Sequence, residues 1–143
     1  QSIPGLKIST DILVGFPGET EKLFEESLTF IEQCNFSHIH SFKYSKREGT
    51  PAADMPNQVP ETVKKERMQK LAHLESTLKT HHLEESVNKE GSILFEVIEN
   101  GYWTGYNEYY QKVYVKSAEN LANKILMVRP ALVKDGILYS EKI

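Results

Sequence analysis

The feature that most constrains this chain lies between Ile8 and Tyr44, where one strand–helix–strand pattern appears and is not repeated. Ile8 to Phe16 (ISTDILVGF) is a β-branched, nearly continuous apolar run, as expected for a strand buried on both faces of a parallel sheet. Pro17-Gly18-Glu19-Thr20 interrupts it. Thr20 is placed to cap a helix, with Glu19 and Glu21 where a helix dipole favours anions. Leu23, Phe24, Leu28, Ile31 and Cys34 follow near a helical period, Asn35 ends the helix, and Ser37 to Tyr44 reads as a second strand. Together they form one βαβ unit, a right-handed builder of parallel sheets. One such unit cannot cover both faces of its own sheet. Residues 1–60 are therefore expected to be the C-terminal piece of a larger α/β domain and, taken alone, to bury their exposed sheet by dimerising or rearranging. The start at Gln1, without Met, fits a fragment.

Ser45 to Pro60 reads as an irregular loop, because its prolines and glycine disfavour regular structure. Pro60 suits the first position of a helix that would run from Glu61 to about Val87 as a linker, with a thin stripe of Val63, Leu71, Leu74 and Leu78. From Gly91 the pattern changes to short runs of β-formers: Ser92 to Ile98, Tyr109 to Val115, Lys124 to Val128 and Ile137 to Tyr139. Asn100-Gly101, Asn107, Asn120, Asn123 and Asp135-Gly136 separate them. Asp135-Gly136 is a hairpin signal. The fold class is thus α/β plus all-β: a partial parallel α/β piece (1–60), a linker helix (61–87) and a small closed β-barrel or sandwich (88–143).

Composition narrows the functional classes. A net charge of −3 over 143 residues argues against coating nucleic acid by bulk electrostatics. No apolar run reaches membrane-spanning length, and no signal peptide opens the chain. The single cysteine, Cys34, cannot make an internal disulfide or, by itself, a cysteine-ligated metal site, which fits a reducing cytoplasm. Its place on the apolar stripe makes it a core residue. His81-His82 point apart on a helix and do not share a metal.

Chemistry is expected where strands of a parallel sheet end, since ligands bind at their carboxyl ends. One such end is Gly15-Phe16-Pro17-Gly18-Glu19-Thr20, whose glycines allow close backbone approach to a ligand. The other is Tyr44-Ser45-Lys46-Arg47-Glu48-Gly49-Thr50, where Arg47 could clamp a carboxylate or phosphate. By physics alone the first is equally a plain turn, and Arg47 a surface charge.

Thr10 to Thr20 (TDILVGFPGET), followed by Phe24-Glu25-Glu26-Ser27-Leu28, closely resembles the late barrel segment of radical-SAM methylthiotransferases. Phe36 to His40, Tyr44 to Ala53 (YSKREGTPAA), Met55-Pro56, Gln58-Val59-Pro60 and Val63 to Arg67 continue the resemblance in order. Lys43 and Lys46 stand where that family has proline. The form looks most like the branch that modifies N6-threonylcarbamoyladenosine in tRNA; the isopentenyladenosine and ribosomal-protein branches are the alternatives. The resemblance implies that residues 1–60 are a remnant of a radical-SAM barrel. It also implies an enzyme that uses S-adenosylmethionine and 4Fe-4S clusters to methylthiolate C2 of a modified adenosine next to the anticodon. Gly15, Ser45 and Arg47 would then form one wall of the cofactor site. No cluster cysteine motif is in this chain, so no catalytic or metal residue is assigned to it, no cofactor is expected bound to it alone, and it is expected to be inactive without the N-terminal and radical-SAM domains.

Gly105 to Val115 (GYNEYYQKVYV) resembles the OB-like TRAM barrel that ends the same family. Trp103, Tyr106 and Tyr110, with Lys112, are the candidate RNA contacts, because aromatic faces stack on unpaired bases and lysines meet phosphates. Alternate members of this run are also expected to fill the barrel core. Leu83 to Ile143 holds seven Lys and Arg against nine Asp and Glu, so an RNA site there must be a local patch. The partner would be a tRNA anticodon stem-loop. The second reading, of a different class, is a stand-alone RNA-binding or adaptor module.

Overall fold

The computed structural model describes residue 3 and residues 5–140. The chain divides into two compact units, residues 1–78 and 79–143.

The first unit is built on β1 (Ser9–Val14), α1 (Glu21–Cys34) and β2 (His38–Lys43). β1 and β2 pair in parallel, from Ser9 opposite His38 to Val14 opposite Lys43. Thr20 caps α1, its hydroxyl accepting the Leu23 N–H at 3.2 Å, and Asn35 closes it in the left-handed region at φ 50°. A short helix α2 (Pro51–Asp54) and a long one, α3 (Glu61–Glu84), follow. Val14, Phe24, Ile31, Ile39, Leu71 and Leu78 form the core of this unit, so α3 packs along it as far as Leu78. The opposite face of the two strands is open: Leu13 and Phe42, directly paired, are 50% and 52% exposed. The expectation of a strand buried on both faces is thereby corrected, because helices cover only one side. Cys34 is also exposed, not in the core, since it lies at the last turn of α1, beyond the face that Phe24 and Ile31 bury.

The second unit is a six-stranded sheet in the order β6-β3-β4-β5-β8-β7, curled around one core as a half-barrel. Its strands are β3 (Gly91–Glu99), β4 (Tyr102–Tyr106), β5 (Lys112–Val115), β6 (Ile125–Val128), β7 (Leu132–Lys134) and β8 (Ile137–Ser140). β3 pairs with β6 through its first half and with β4 through its second, with a register shift between Phe95 and Val97 that lets it serve both. Gly105 sits opposite Phe95; a Cβ there would lie 2.2 Å from the Leu94 carbonyl oxygen, so the strands can approach only over glycine. Asn100-Gly101 and Asp135-Gly136 both have positive φ, the geometry of two-residue hairpins matched to strand twist. β5 and β8 are the parallel pair. Leu83, at the end of α3, joins Ile93, Phe95, Trp103, Val113, Val115, Leu121, Val128 and Leu138 in the core.

Two elements of the second unit differ from expectation. Tyr102 to Tyr106 is a strand, and Asn107 to Tyr110 is not. The Asn107 side-chain oxygen accepts the N–H groups of Tyr109 (3.0 Å) and Gln111 (2.9 Å), which folds a turn where a strand start was expected.

Candidate functional site

In the first unit, parallel pairing brings the loop after β1 and the loop after β2 to the same end of the sheet, where Tyr44 N–H donates to Val14 O at 2.8 Å. Gly15, Ser45 and Arg47 therefore share one rim. Ser45 and Arg47 are exposed, and the Arg47 carbonyl accepts from the Thr50 hydroxyl at 2.7 Å, folding the loop behind it. Gly15 is buried at φ 80°, and its bare Cα is used by the chain itself: a Cβ there would fall 2.2 Å from the Lys64 Cγ. The glycine is required in order to seat a lysine of α3.

That lysine begins a feature the apolar stripe did not reveal. Lys64 and Arg67 extend the buried face of α3 toward its N-terminus, with Leu71 and Leu78 continuing it. Both cations are tied to the strand ends. Lys64 Nζ donates to the Tyr44 carbonyl at 3.1 Å and pairs with Glu61. Arg67 Nη1 donates to the carbonyl and to the carboxylate of Glu19, each at 3.0 Å, and the same carboxylate accepts the Gly15 N–H. Arg67 Nη2 reaches Glu21 at 3.2 Å, and Lys70 reaches it at 2.9 Å. With side chains 5% and 15% exposed, Arg67 and Glu19 form a largely desolvated, hydrogen-bonded pair that fixes the Pro17-Gly18-Glu19 turn. Lys70, and secondly Arg67, hold the Glu21 carboxyl below its ordinary range. Lys43 lies 2.8 Å from Glu61; with Lys64 it pulls the Glu61 carboxyl down to about 2. The spacing 64, 67, 71, 74, 78 is helix-periodic, so a stripe that admitted long cations with acidic partners would have found these residues.

Two observations test whether this rim suits the groups that the resemblance implies. The Tyr44 hydroxyl is buried and, among the described residues, is the side-chain polar atom left without a hydrogen-bond partner. A buried donor of this kind suits a polar ligand. Tyr44 precedes Ser45 in the chain, and its ring packs edge-on to Phe16 with centroids 5.5 Å apart. The exposed Arg47 guanidinium on this rim is the group that can meet a carboxylate. An iron–sulfur cluster takes thiolate ligands, and with Cys34 alone the donor set of this chain does not fit one.

In the second unit, the four aromatic and cationic candidates separate. Trp103 is 9% exposed within the core, which withdraws it from stacking on a base: β4 places it on the inner face opposite Val115. Tyr106 is 42% exposed, and Tyr110 is 89% exposed at φ 57°. Lys112 Nζ is held by Glu99 at 2.6 Å, and Glu99 also accepts the Tyr114 hydroxyl at 2.9 Å. The Lys112 bond, and secondly that of Tyr114, lower the Glu99 carboxyl; Glu99 in turn raises the Lys112 ammonium and, with burial second, the Tyr114 phenol.

No family model matches the chain. Its curated relatives decide the matter. It is 40% identical over 146 residues to the threonylcarbamoyladenosine tRNA methylthiotransferase of Bacillus subtilis, covering 99% of this chain and 32% of that protein. The chain belongs to the tRNA methylthiotransferase family. A threonylcarbamoyladenosine tRNA methylthiotransferase of Thermotoga maritima is 41% identical over 76% of the chain and 25% of that protein. The tRNA-2-methylthio-N(6)-dimethylallyladenosine synthase of Thermobifida fusca is 47% identical over 66% of the chain and 19% of that protein. The chain spans about a third or less of the length of these curated relatives, and the names of the relatives include both substrate types.

Proposed function

We propose that this chain is the C-terminal part of an enzyme that methylthiolates C2 of N6-threonylcarbamoyladenosine beside the anticodon of a tRNA. The carrying observation is the end-to-end match to the Bacillus subtilis threonylcarbamoyladenosine tRNA methylthiotransferase. In this reading a larger radical-SAM barrel continues from the free edges of β1 and β2, the open face with Leu13 and Phe42 lines its interior, and residues 88–143 are a TRAM-like RNA-binding module. S-adenosylmethionine and 4Fe-4S clusters, bound in the whole enzyme, supply the radical and the methyl group. This chain's own residues bind and orient. Arg47 and Ser45 would hold the carboxylate of the cofactor, and the buried Tyr44 hydroxyl would be a further donor to it. Gly15 acts through Lys64, and the Glu19–Arg67 pair holds the turn beside it. Tyr106 and Tyr110 offer exposed rings to RNA, while Lys112 is matched by Glu99. The enzyme would work in the cytoplasm; no helix of the described residues is long and apolar enough to cross a membrane.

The test is expression of the protein carrying this chain in a Bacillus subtilis strain without its threonylcarbamoyladenosine tRNA methylthiotransferase, followed by mass spectrometry of tRNA nucleosides. Return of 2-methylthio-N6-threonylcarbamoyladenosine supports the reading. Methylthiolation of isopentenyladenosine alone would move the chain to the other branch. No methylthiolated nucleoside, with the protein present and its clusters assembled, would favour the adaptor reading.

A further inference from the structure

The second unit carries an aromatic cluster that extends from the Glu99–Tyr114 contact to two further residues, Tyr102 and Tyr139. Tyr102 on β4 and Tyr114 on β5 stack with centroids 5.5 Å apart and planes 20° apart. Tyr139 on β8 meets both edge-on, at 5.5 Å and 5.3 Å. The register explains the grouping: Tyr139 is directly opposite Tyr114, and Tyr102 is diagonal to it across β4. Tyr114 is buried and anchored through its hydroxyl to Glu99, so it is the floor; Tyr102 and Tyr139 are only half-buried. A cation sits at each end of the stack: Lys112 lies 5.4 Å from the Tyr114 ring and Lys116 5.2 Å from the Tyr102 ring.

The two cations differ in availability. Lys112 is neutralised by Glu99 at 2.6 Å. Lys116 is exposed, and among the described residues its one recorded contact is the Tyr102 ring. An exposed cation–ring contact is weaker than a base stacked on a tyrosine. A base can therefore take the Tyr102 face while the Lys116 ammonium, on its flexible stem, moves to the neighbouring phosphate. This combination of a rigid ring pair, an edge-on third ring and one unmatched cation suits an unpaired nucleotide better than a flat apolar partner, which would leave the lysine charge unmatched.

We infer that Tyr102 and Tyr139, carried on the buried Tyr114 and rimmed by Lys116, form a stacking platform for one unpaired base of the bound RNA. The inference rests on the RNA-binding reading of this unit and adds the site within it. It also explains how a unit of net negative charge can hold RNA: one local cation and stacking replace bulk attraction.

The experiment is fluorescence-anisotropy titration of a labelled tRNA anticodon stem-loop with the whole protein, across a salt series, for wild type, Tyr102→Leu, Tyr139→Leu, Tyr102→Phe and Lys116→Ala. Thermal unfolding is followed alongside. The leucine variants keep apolar bulk but remove the ring, and are expected to weaken binding about tenfold. Tyr102→Phe keeps the ring and should bind like wild type. Lys116→Ala should bind more weakly and lower the salt slope by about one. Folded leucine variants with wild-type affinity overturn the platform. A Tyr102→Phe loss equal to that of Tyr102→Leu also overturns it, since the hydroxyl and not the ring would matter. Wild-type protein that binds no tRNA at low salt overturns the RNA-binding reading itself, and the platform with it.

Discussion

At Gly15, two demands fall on one residue: a left-handed backbone and room for the Lys64 stem. Gly15→Ala is expected to destabilise the first unit by roughly 2–4 kcal/mol, combining positive-φ strain with overlap. Chemical denaturation measures it, and Gly18→Ala, with open space around its Cβ position, should show only the φ cost. Glu61 makes a pH prediction. Its folded carboxyl is lowered to about 2 from an ordinary 4.5, so its contribution is present above pH 4.5 and is lost as pH falls toward 2. Glu61→Gln should lower stability by a constant amount above pH 4.5, with the difference fading as pH falls toward 2, and added salt should shrink it because the pair is exposed. Lys43, which replaces the family's usual proline, is half of that pair.

At the scale of elements, α3 joins strand ends to strands. Its buried face begins with two cations and continues with leucines. Leu71→Ala is expected to cost about 2–5 kcal/mol through the cavity it leaves. Arg67→Ala should cost about 3 kcal/mol by stranding the Glu19 carboxylate, and Arg67→Ala combined with Glu19→Gln should recover part of that, as a double-mutant cycle by urea unfolding would show. The strands of the first unit were readable from β-branched runs and the Thr20 cap, and the hairpins of the second from Asn-Gly and Asp-Gly, because those signals are local. Burial of Lys64 and Arg67 was not readable: its compensating groups, Tyr44 and Glu19, lie 20 and 48 residues away. β4 was hidden because its aromatic run resembles a stacking surface. Only the fold shows that Trp103 faces inward while Tyr102 does not.

For the molecule as a whole, the open face of β1 and β2 is the largest departure from a self-sufficient domain. The 143-residue chain by itself is expected to associate through it, and Leu13→Glu with Phe42→Lys should return it to a monomer by light scattering. That the loops holding Gly15, Ser45 and Arg47 leave the same end of the sheet was legible from the parallel βαβ pattern; the partnerless Tyr44 hydroxyl was not, because burial and not residue type makes it notable. The central claim is that these residues complete a tRNA methylthiotransferase selective for the threonylcarbamoyl substrate. Its most direct measurement is methylthio transfer by the purified, cluster-loaded protein to two anticodon stem-loops, one bearing N6-threonylcarbamoyladenosine and one bearing N6-isopentenyladenosine. A kcat/KM favouring the threonylcarbamoyl substrate by tenfold or more, and falling at least tenfold in Arg47→Ala, is the predicted result. Equal turnover of both, or full activity in Arg47→Ala, would contradict it.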